Sequence, residues 1–390
     1  MKIVMLSPFY YPHTGGTEKY VKDLSLALTQ AGHEVTIIAN NLPRQKNAPA
    51  EETKDGVRII RLPAILLFSY LPVSWAFNLK MLEGYDIVHV HVPAFSFVRA
   101  VAKKIKQPVV VTYHCDITVF EKYFGIPIPR WFTKTVEYFA DIYGRWAMSR
   151  VDAYYNTTET YAKTSPIMKH FPVRAIPIGY FHEGVDGMQK KLGLTPDKKK
   201  KNQILFLGRL AGNKGCHYLV EAMPMILAKH PETKLVICGE GSEKNHILSL
   251  IKKFKIEKSV EWYGVVDFAK LVELFYTSLV YVFPSIDRLE AFGIVQLEAM
   301  SNYTAVAASD IPGPNAVMEV GKSGVLYPKM DPPAIAEAVN DLLSNPEKAI
   351  EMGKAGRKLV ETKYDWKVIA RQVVDLYQEE LAKKKGAQAQ

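Results

Sequence analysis

Short apolar runs alternate with longer stretches of helical periodicity along this 390-residue chain. Residues 3–7, 34–40, 59–62, 87–91, 109–113, 153–157 and 174–176 are aliphatic, β-branched or aromatic runs of strand length. Such runs suit strands buried on both faces, as in a parallel sheet. After the first of them comes a loop over 8–16. A helix follows from Thr17, read as its N-cap, to about Ala31, and Gly32-His33 stops it. The rhythm restarts at 204–207 and continues with strands at 235–238, 260–263, 280–283 and 305–307, and a helix over 216–229. Strand and helix alternate in both halves, which predicts two successive α/β domains, each doubly wound. Between them Gly184, Gly187, Gly193, Pro196 and four consecutive lysines place a hinge near 183–186 and an exposed, partly mobile stretch through Lys201. The predicted domains are 1–185 and 186–365. A last helix opens at Tyr364-Asp365-Trp366 and runs to about 385, ahead of a frayed tail.

One stretch concentrates the chemistry. Leu279-Val280-Tyr281-Val282-Phe283 reads as a buried strand, and Pro284 takes the chain out of the sheet. Ile294, Leu297 and Met300 then recur at helical spacing, so a helix opens near Gly293. Strand, polar loop, glycine and helix together aim free backbone N–H groups at an anion. Glu290 and Glu298 flank that opening. Carboxylates beside an anion site make sense if they accept hydrogen bonds from the hydroxyls of a ligand that also carries phosphate, such as a sugar nucleotide. The plainer alternative makes Glu290 a helix cap and Glu298 a solvated residue. Arg209 and Lys214 form a second constellation, able to neutralise a diphosphate without a metal. Alternatively they are two solvated cations.

Composition narrows the partners. Formal net charge is +10, with 21 Lys/Arg against 16 Asp/Glu in residues 1–186 and 29 against 24 in 187–390. A general excess suits a polyphosphate ligand or an anionic membrane surface. No nucleic-acid motif accompanies it. Cys115, Cys216 and Cys238 form neither a paired framework nor a zinc spacing, which favours a reducing cytoplasm, and the first residues lack a signal-peptide shape. No Asp-x-Asp pair, P-loop or G-x-G-x-x-G spacing occurs. The uncharged stretch 62–79 contains Pro63, Pro72, Ser69, Ser74 and Asn78, so it reads as a loop plus a short helix, packed or dipping into a bilayer face, and not as a span. Residues 127–149 carry Trp131, Phe132, Tyr138, Phe139, Tyr143 and Trp146 at helical spacing. The pattern favours a core-facing amphipathic helix. The competing reading is a membrane-facing or acceptor-binding surface, with Trp131 as its acceptor-side candidate. His89 and His91 alternate on one strand and read as core histidines or as supports for a neighbouring site residue.

The stretch 284–300 resembles the Glu-x7-Glu signature of retaining glycosyltransferases of the GT-B fold, family 4, also called glycosyl transferases group 1. The match includes Phe292-Gly293 after the first Glu and Leu297-Glu298-Ala299-Met300 around the second. Gly15-Gly16-Thr17-Glu18, Thr112-Tyr113-His114-Cys115-Asp116 and Gly208-Arg209-Leu210 with Lys214-Gly215 carry the same resemblance. Gly264-Val265-Val266 is similar to the family loop that meets the nucleobase. The sequence departs at Asn302-Tyr303-Thr304-Ala305-Val306, where the family usually has Gly-x-Pro-Val-Val, which puts the local backbone in doubt.

The resemblance implies two Rossmann-like doubly wound domains with a cleft between them, acceptor on the first and donor on the second. It also implies a C-terminal helix, about 366–390, packing back on the first domain. The activity implied is metal-independent, retaining hexosyl transfer from a UDP-, GDP- or ADP-sugar to a glycan, lipid-linked or small-molecule acceptor, with no cofactor and no protein nucleophile. Its implied catalytic residues are His114, Glu290, Arg209 and Lys214. The implied donor site adds Gly15, Gly16, Gly264, Val265, Ala291, Phe292, Gly293, Ile294, Val295 and Glu298, and Asp116 would orient His114 or meet the acceptor. A non-catalytic sugar-nucleotide-binding subunit and a GT-B sugar-nucleotide epimerase are the alternatives. A cytoplasmic protein, peripheral on the cytoplasmic face of the membrane, is the expected setting.

Overall fold

The computed structural model describes residues 1–13, 15–41, 48–68, 71–116, 122–123 and 126–388. In chain order the first elements are β1 (Lys2–Ser7), α1 (Gly16–Gln30), β2 (Glu34–Asn41), β3 (Glu51–Lys54), β4 (Val57–Pro63), β5 (Ile65–Phe68), β6 (Leu71–Val73), β7 (Ile87–Val92), α2 (Phe95–Val101), β8 (Val109–Tyr113), β9 (Lys122–Tyr123), β10 (Ile126–Pro127), α3 (Arg130–Met148), β11 (Ala153–Asn156) and α4 (Glu159–Thr164). Then follow α5 (His182–Lys191), β12 (Lys200–Leu207), α6 (Cys216–Lys229), β13 (Lys234–Cys238), α7 (Lys244–Lys253), β14 (Val260–Gly264), α8 (Phe268–Thr277), β15 (Ser278–Phe283), α9 (Ile294–Ser301), β16 (Ala305–Ser309), β17 (Gly324–Tyr327), α10 (Pro332–Ser344), α11 (Pro346–Lys363) and α12 (Trp366–Gln388). The chain divides into two compact units, Met1–Gly179 with Trp366–Gln390, and Tyr180–Asp365.

In the first unit the strands lie in the order β11-β8-β7-β1-β2-β4-β3, all parallel except β3, which runs antiparallel to β4. Ile3 to Leu6 of β1 are fully buried at its centre. Helix α12 belongs to this unit: Trp366 packs closely on Gly179 and lies tilted against Tyr20, and Tyr377 is buried against His89. The second unit is a six-stranded parallel sheet, β14-β13-β12-β15-β16-β17. Its strands read 3-2-1-4-5-6 within the unit, the Rossmann order, and the direction of winding reverses between β12 and β15. One cluster, including Ile204, Leu219, Val280 and Val339, fills its interior.

Several expectations are corrected. The hinge near 183–186 is instead helix α5, and the units part at Gly179/Tyr180. Gly184 and Gly187 each cost a helix roughly 1 kcal/mol. Buried Val185, Gln189 bonded to Asn302, and Asp186 paired with Arg357 offset that. The stretch through Lys201, expected to be mobile, is instead built from α5, a helical turn at Pro196–Lys198 and the start of β12 at Lys200. Stretch 62–79 holds the antiparallel pair β5–β6 instead of a helix, with residues 69–70 outside the described set. Pro72 is tolerated there because a two-stranded ribbon leaves one side of each strand unpaired. The strand at 174–176 shrinks to one bridge, Asn156 to Ala175. Gly15, and not Thr17, is the N-cap of α1. Most aromatic residues of α3 do not face the core: Trp131 is 71% exposed and Phe139 63%, and of the six only Tyr143 packs inward, edge-on to buried Phe95. At the departure from the family pattern Tyr303 takes a left-handed backbone, φ 57°, strained for a side chain of its size. The buried Lys199 ammonium holds that turn by donating to the carbonyls of Ser278 and Tyr303, each at 3.0 Å.

Candidate active site

In the second unit every residue singled out sits at the carboxyl ends of the strands, the edge where open α/β sheets take ligands. The loop after β12 carries Arg209 and Lys214, and the loop after β15 carries Glu290. These are the two strands at the winding reversal. The loops are knitted together: Ile286 N–H donates to Asn213 O at 3.0 Å, and Lys214 Nζ is ion-paired with Glu290 Oε2. Gly215 has φ 67°, and a Cβ there would run into the Pro284 carbonyl, so only glycine lets the loops approach this closely. The Gly239-Glu240-Gly241 turn braces Arg209 from the other side, with Leu210 N–H on Glu240 O and Glu243 N–H on Leu210 O. Arg209 is exposed and makes no ion pair with a described residue.

Helix α9 starts at this point. Gly293, at φ 83°, is its N-cap and supplies no side-chain acceptor, so the first N–H groups of the helix, those of Ile294 and Val295, are left for a ligand. Arg209, Lys214, Pro284, Ser285 and Val295 line one recess, with Tyr281 as a further wall that the sequence reading passed over. Burial, then the charges of Glu290 and Glu298, push the Tyr281 hydroxyl well above the ordinary tyrosine range, so both carboxylates act on the same point. Ala291 and Phe292 are buried behind the loop. Gly264, at φ 64°, ends β14 and binds Gly239 N–H through its carbonyl, while Val265 beside it is 82% exposed. Two cations, free helix N–H groups and two carboxylates can hold a diphosphate together with hydroxyl groups.

Gly15, Gly16, His114, Asp116 and Trp131 belong to the first unit. The Glu18 carboxylate folds back over Gly15 and pairs with His13 Nδ1 at 2.9 Å. His114 is buried at the end of β8, its Nε2 at 3.2 Å from His91 Nδ1 and its ring edge-on to Tyr20. His89 binds Thr112 Oγ1 at 2.6 Å and Tyr377 Oη at 2.7 Å. Asp116 is not open to an acceptor. It is 6% exposed, accepts the hydroxyls of Tyr113 and Tyr161, each at 2.8 Å, and also that of Ser165. Spacing along the chain gives no hint of those donors, because Tyr161 and Ser165 arrive from another element. Trp131 lies on the outward face of α3, apart from these groups.

Burial holds His89 and His114 neutral, with pKa values near 3, and His91 well below 6.5. The unfolded chain therefore binds more protons below pH 6.5, and stability is lost as the pH falls from 6.5 toward 3. At pH 5 the loss is about 2 kcal/mol for each histidine that stays neutral. Urea unfolding at pH 7.5 and pH 5 measures it, and His91→Phe should flatten the dependence. A midpoint unchanged between the two pH values contradicts a neutral buried trio.

Solved structures place the architecture. A sucrose-phosphate synthase from Thermosynechococcus elongatus superposes with a TM-score of 0.77 at 23% identity, covering 98% of this chain and 100% of that one. Anabaena HepE in complex with UDP gives a TM-score of 0.73 at 16% identity over 97% of this chain and 100% of its own. The fold is GT-B, two Rossmann-like α/β domains. Family models match in tandem, Glycosyltransferase Family 4 over residues 14–186 and Glycosyl transferases group 1 over 191–359. The chain belongs to this family of glycosyltransferases and is an enzyme of that class. Among its relatives, a glycogen synthase of Mycobacterium tuberculosis is 26% identical across 99% of this chain and 96% of its own length. A phosphatidyl-myo-inositol mannosyltransferase of Mycobacterium leprae is 27% identical across 97% and 96%. An uncharacterized glycosyltransferase of Methanocaldococcus jannaschii is 29% identical across 97% and 98%.

Proposed function

We propose that this glycosyltransferase moves a hexose-type sugar from a UDP-, GDP- or ADP-sugar to a glycan, lipid-linked or small-molecule acceptor, with retention and without a metal ion. The second unit takes the donor and the first takes the acceptor. The observation that carries this reading is the meeting of Arg209, Lys214 and Glu290 with the uncapped start of α9, at the winding reversal of the second sheet. Relatives named for glucan synthesis and for mannosylation of a phosphoinositide support a glycan or a lipid as acceptor. Arg209, Lys214 and the α9 N–H groups stabilise the departing diphosphate, which is where charge develops. Glu298 accepts the ribose hydroxyls. Glu290 holds the transferred sugar. The acceptor attacks from the face the diphosphate leaves, and a β-phosphate oxygen takes its proton, so no side chain serves as nucleophile. The setting is cytoplasmic, with peripheral contact to an anionic membrane surface.

The test is transfer from a panel of UDP-, GDP- and ADP-sugars, with and without EDTA. Product formation with the donor's anomeric configuration, undiminished in excess EDTA, is the expected result. Activity that chelation abolishes and Mg²⁺ or Mn²⁺ restores overturns the metal-free mechanism. Donor isomerisation without transfer, or binding without turnover, overturns the reading as a whole.

A further inference from the structure

We propose that the outward face of α3 docks on an anionic lipid bilayer. An ordinary surface helix buries its apolar stripe and shows its polar one. Helix α3 instead shows its aromatic stripe. Its inner side is small, with Thr133, Ala147 and Met148 buried and Gly144 packed where a Cβ would strike Ile167 and Phe95. Trp131, Phe132, Tyr138, Phe139, Ile142 and Trp146 recur in steps of three, four and seven residues along the opposite side, and all six are exposed. The stripe from Trp131 to Trp146 is about 22 Å long at 1.5 Å per residue. A contiguous apolar face of that size marks a contact surface.

Charge selects the partner. Arg130, Lys134, Arg145 and Arg150 stand in or next to the helix against Glu137 and Asp141. The acids are the less presented set: Glu137 is 20% exposed where its partner Lys134 is 65%. The Arg150 guanidinium lies 4.3 Å over the Trp146 ring, so cation and indole reach the surface together. Tryptophan and tyrosine interleaved with Arg and Lys match the boundary between acyl chains and anionic headgroups. Among the described residues no helix is long and apolar enough to cross a membrane, and six charges in and beside α3 leave it lying in the interface plane. The second apolar element points the same way. The uncharged ribbon β5–β6 and α3 both pack on α2, and Trp75, just beyond β6, is 70% exposed. This extends the membrane part of the proposed function, but its test needs no sugar transfer.

The experiment is co-sedimentation of the full chain with phosphatidylcholine vesicles containing or lacking phosphatidylglycerol, at low and high salt. Binding to the anionic vesicles should be at least ten-fold stronger than to the neutral ones and should weaken with salt. Trp131→Ser with Phe139→Ser should lower it at least ten-fold, with circular dichroism and melting unchanged. Brominated lipid in the same vesicles should quench the wild-type tryptophan emission, a readout that requires no variant. Failure to sediment at low salt, or emission that brominated lipid leaves untouched, overturns the proposal. So does a double variant that sediments like wild type, or one that only turns a dimer into a monomer. A protein that sediments but transfers no sugar keeps the dock and defeats the catalytic reading.

Discussion

Glu290→Gln should lower kcat by roughly 10²–10³-fold, the range for losing one preorganised electrostatic contact to the transition state. Affinity for a bare nucleoside diphosphate should not fall with it. In the structure Lys214 Nζ is paired with Glu290, so the cation proposed to meet phosphate is already partly neutralised. Removing that carboxylate charge releases Lys214, and nucleotide affinity should hold or rise a few-fold. The sugar end is different. Positive charge grows there as the bond to phosphate breaks, and in the proposed role Glu290 contributes most at that moment. Glu298→Ala should show the opposite split. Hydrogen bonds to a charged group are worth about 1.5–3 kcal/mol, and ribose contacts are equal in ground and transition states. Nucleotide binding should weaken roughly ten- to hundred-fold with kcat little changed. Calorimetric binding of UDP, GDP and ADP to both variants, beside kcat, decides it. A Glu290→Gln enzyme that loses nucleotide affinity, beside a Glu298→Ala enzyme that keeps it, would mean the two ends of the donor are assigned backwards.

Asp116→Ala should be the most damaging substitution for stability. It strips the acceptor from three buried hydroxyls at once, those of Tyr113, Tyr161 and Ser165. Each orphaned donor costs about 1–3 kcal/mol, so three together put the loss at about 3–9 kcal/mol. For a unit of this size the melting temperature drops by on the order of 10 °C. Asp116→Asn keeps one carbonyl acceptor and should lose less than half as much. Scanning calorimetry reads both. A variant that melts like wild type yet has a raised KM for acceptor would restore the acceptor-side role read from the sequence and refute the structural one.

How much was legible before the structure depends on what each feature is made of. Strands such as β1 and β15 are buried on both faces, so the apolar runs 3–6 and 279–283 announce them. Strand β3, Glu51-Glu52-Thr53-Lys54, is held by pairing to β4 alone and carries no apolar signal. Glu290 and Lys214 could each be singled out, but their pairing depends on Gly215 meeting Pro284, a contact that no local pattern encodes. The spacing of α3 is legible in the sequence, and the direction of its stripe is not. A helical stripe tells which residues share a side, and the same spacing serves a stripe turned inward or outward. The helix at α5 was hidden by its two glycines, because its stabilising partners, Arg357 and Asn302, lie far along the chain.

The first unit is discontinuous, and that shapes the order in which the protein can assemble. Residues 180–365 form one uninterrupted segment, so all of that unit's residues are available once the ribosome has passed them. Residues 1–179 emerge first but lack α12, whose Tyr377 caps His89 Nδ1 at 2.7 Å and whose Trp366 covers Tyr20. Until then a buried histidine has no partner on one side and an aromatic surface lies open to water. The unit made second is thus equipped to finish first, and the first unit is complete only once α12 has been made.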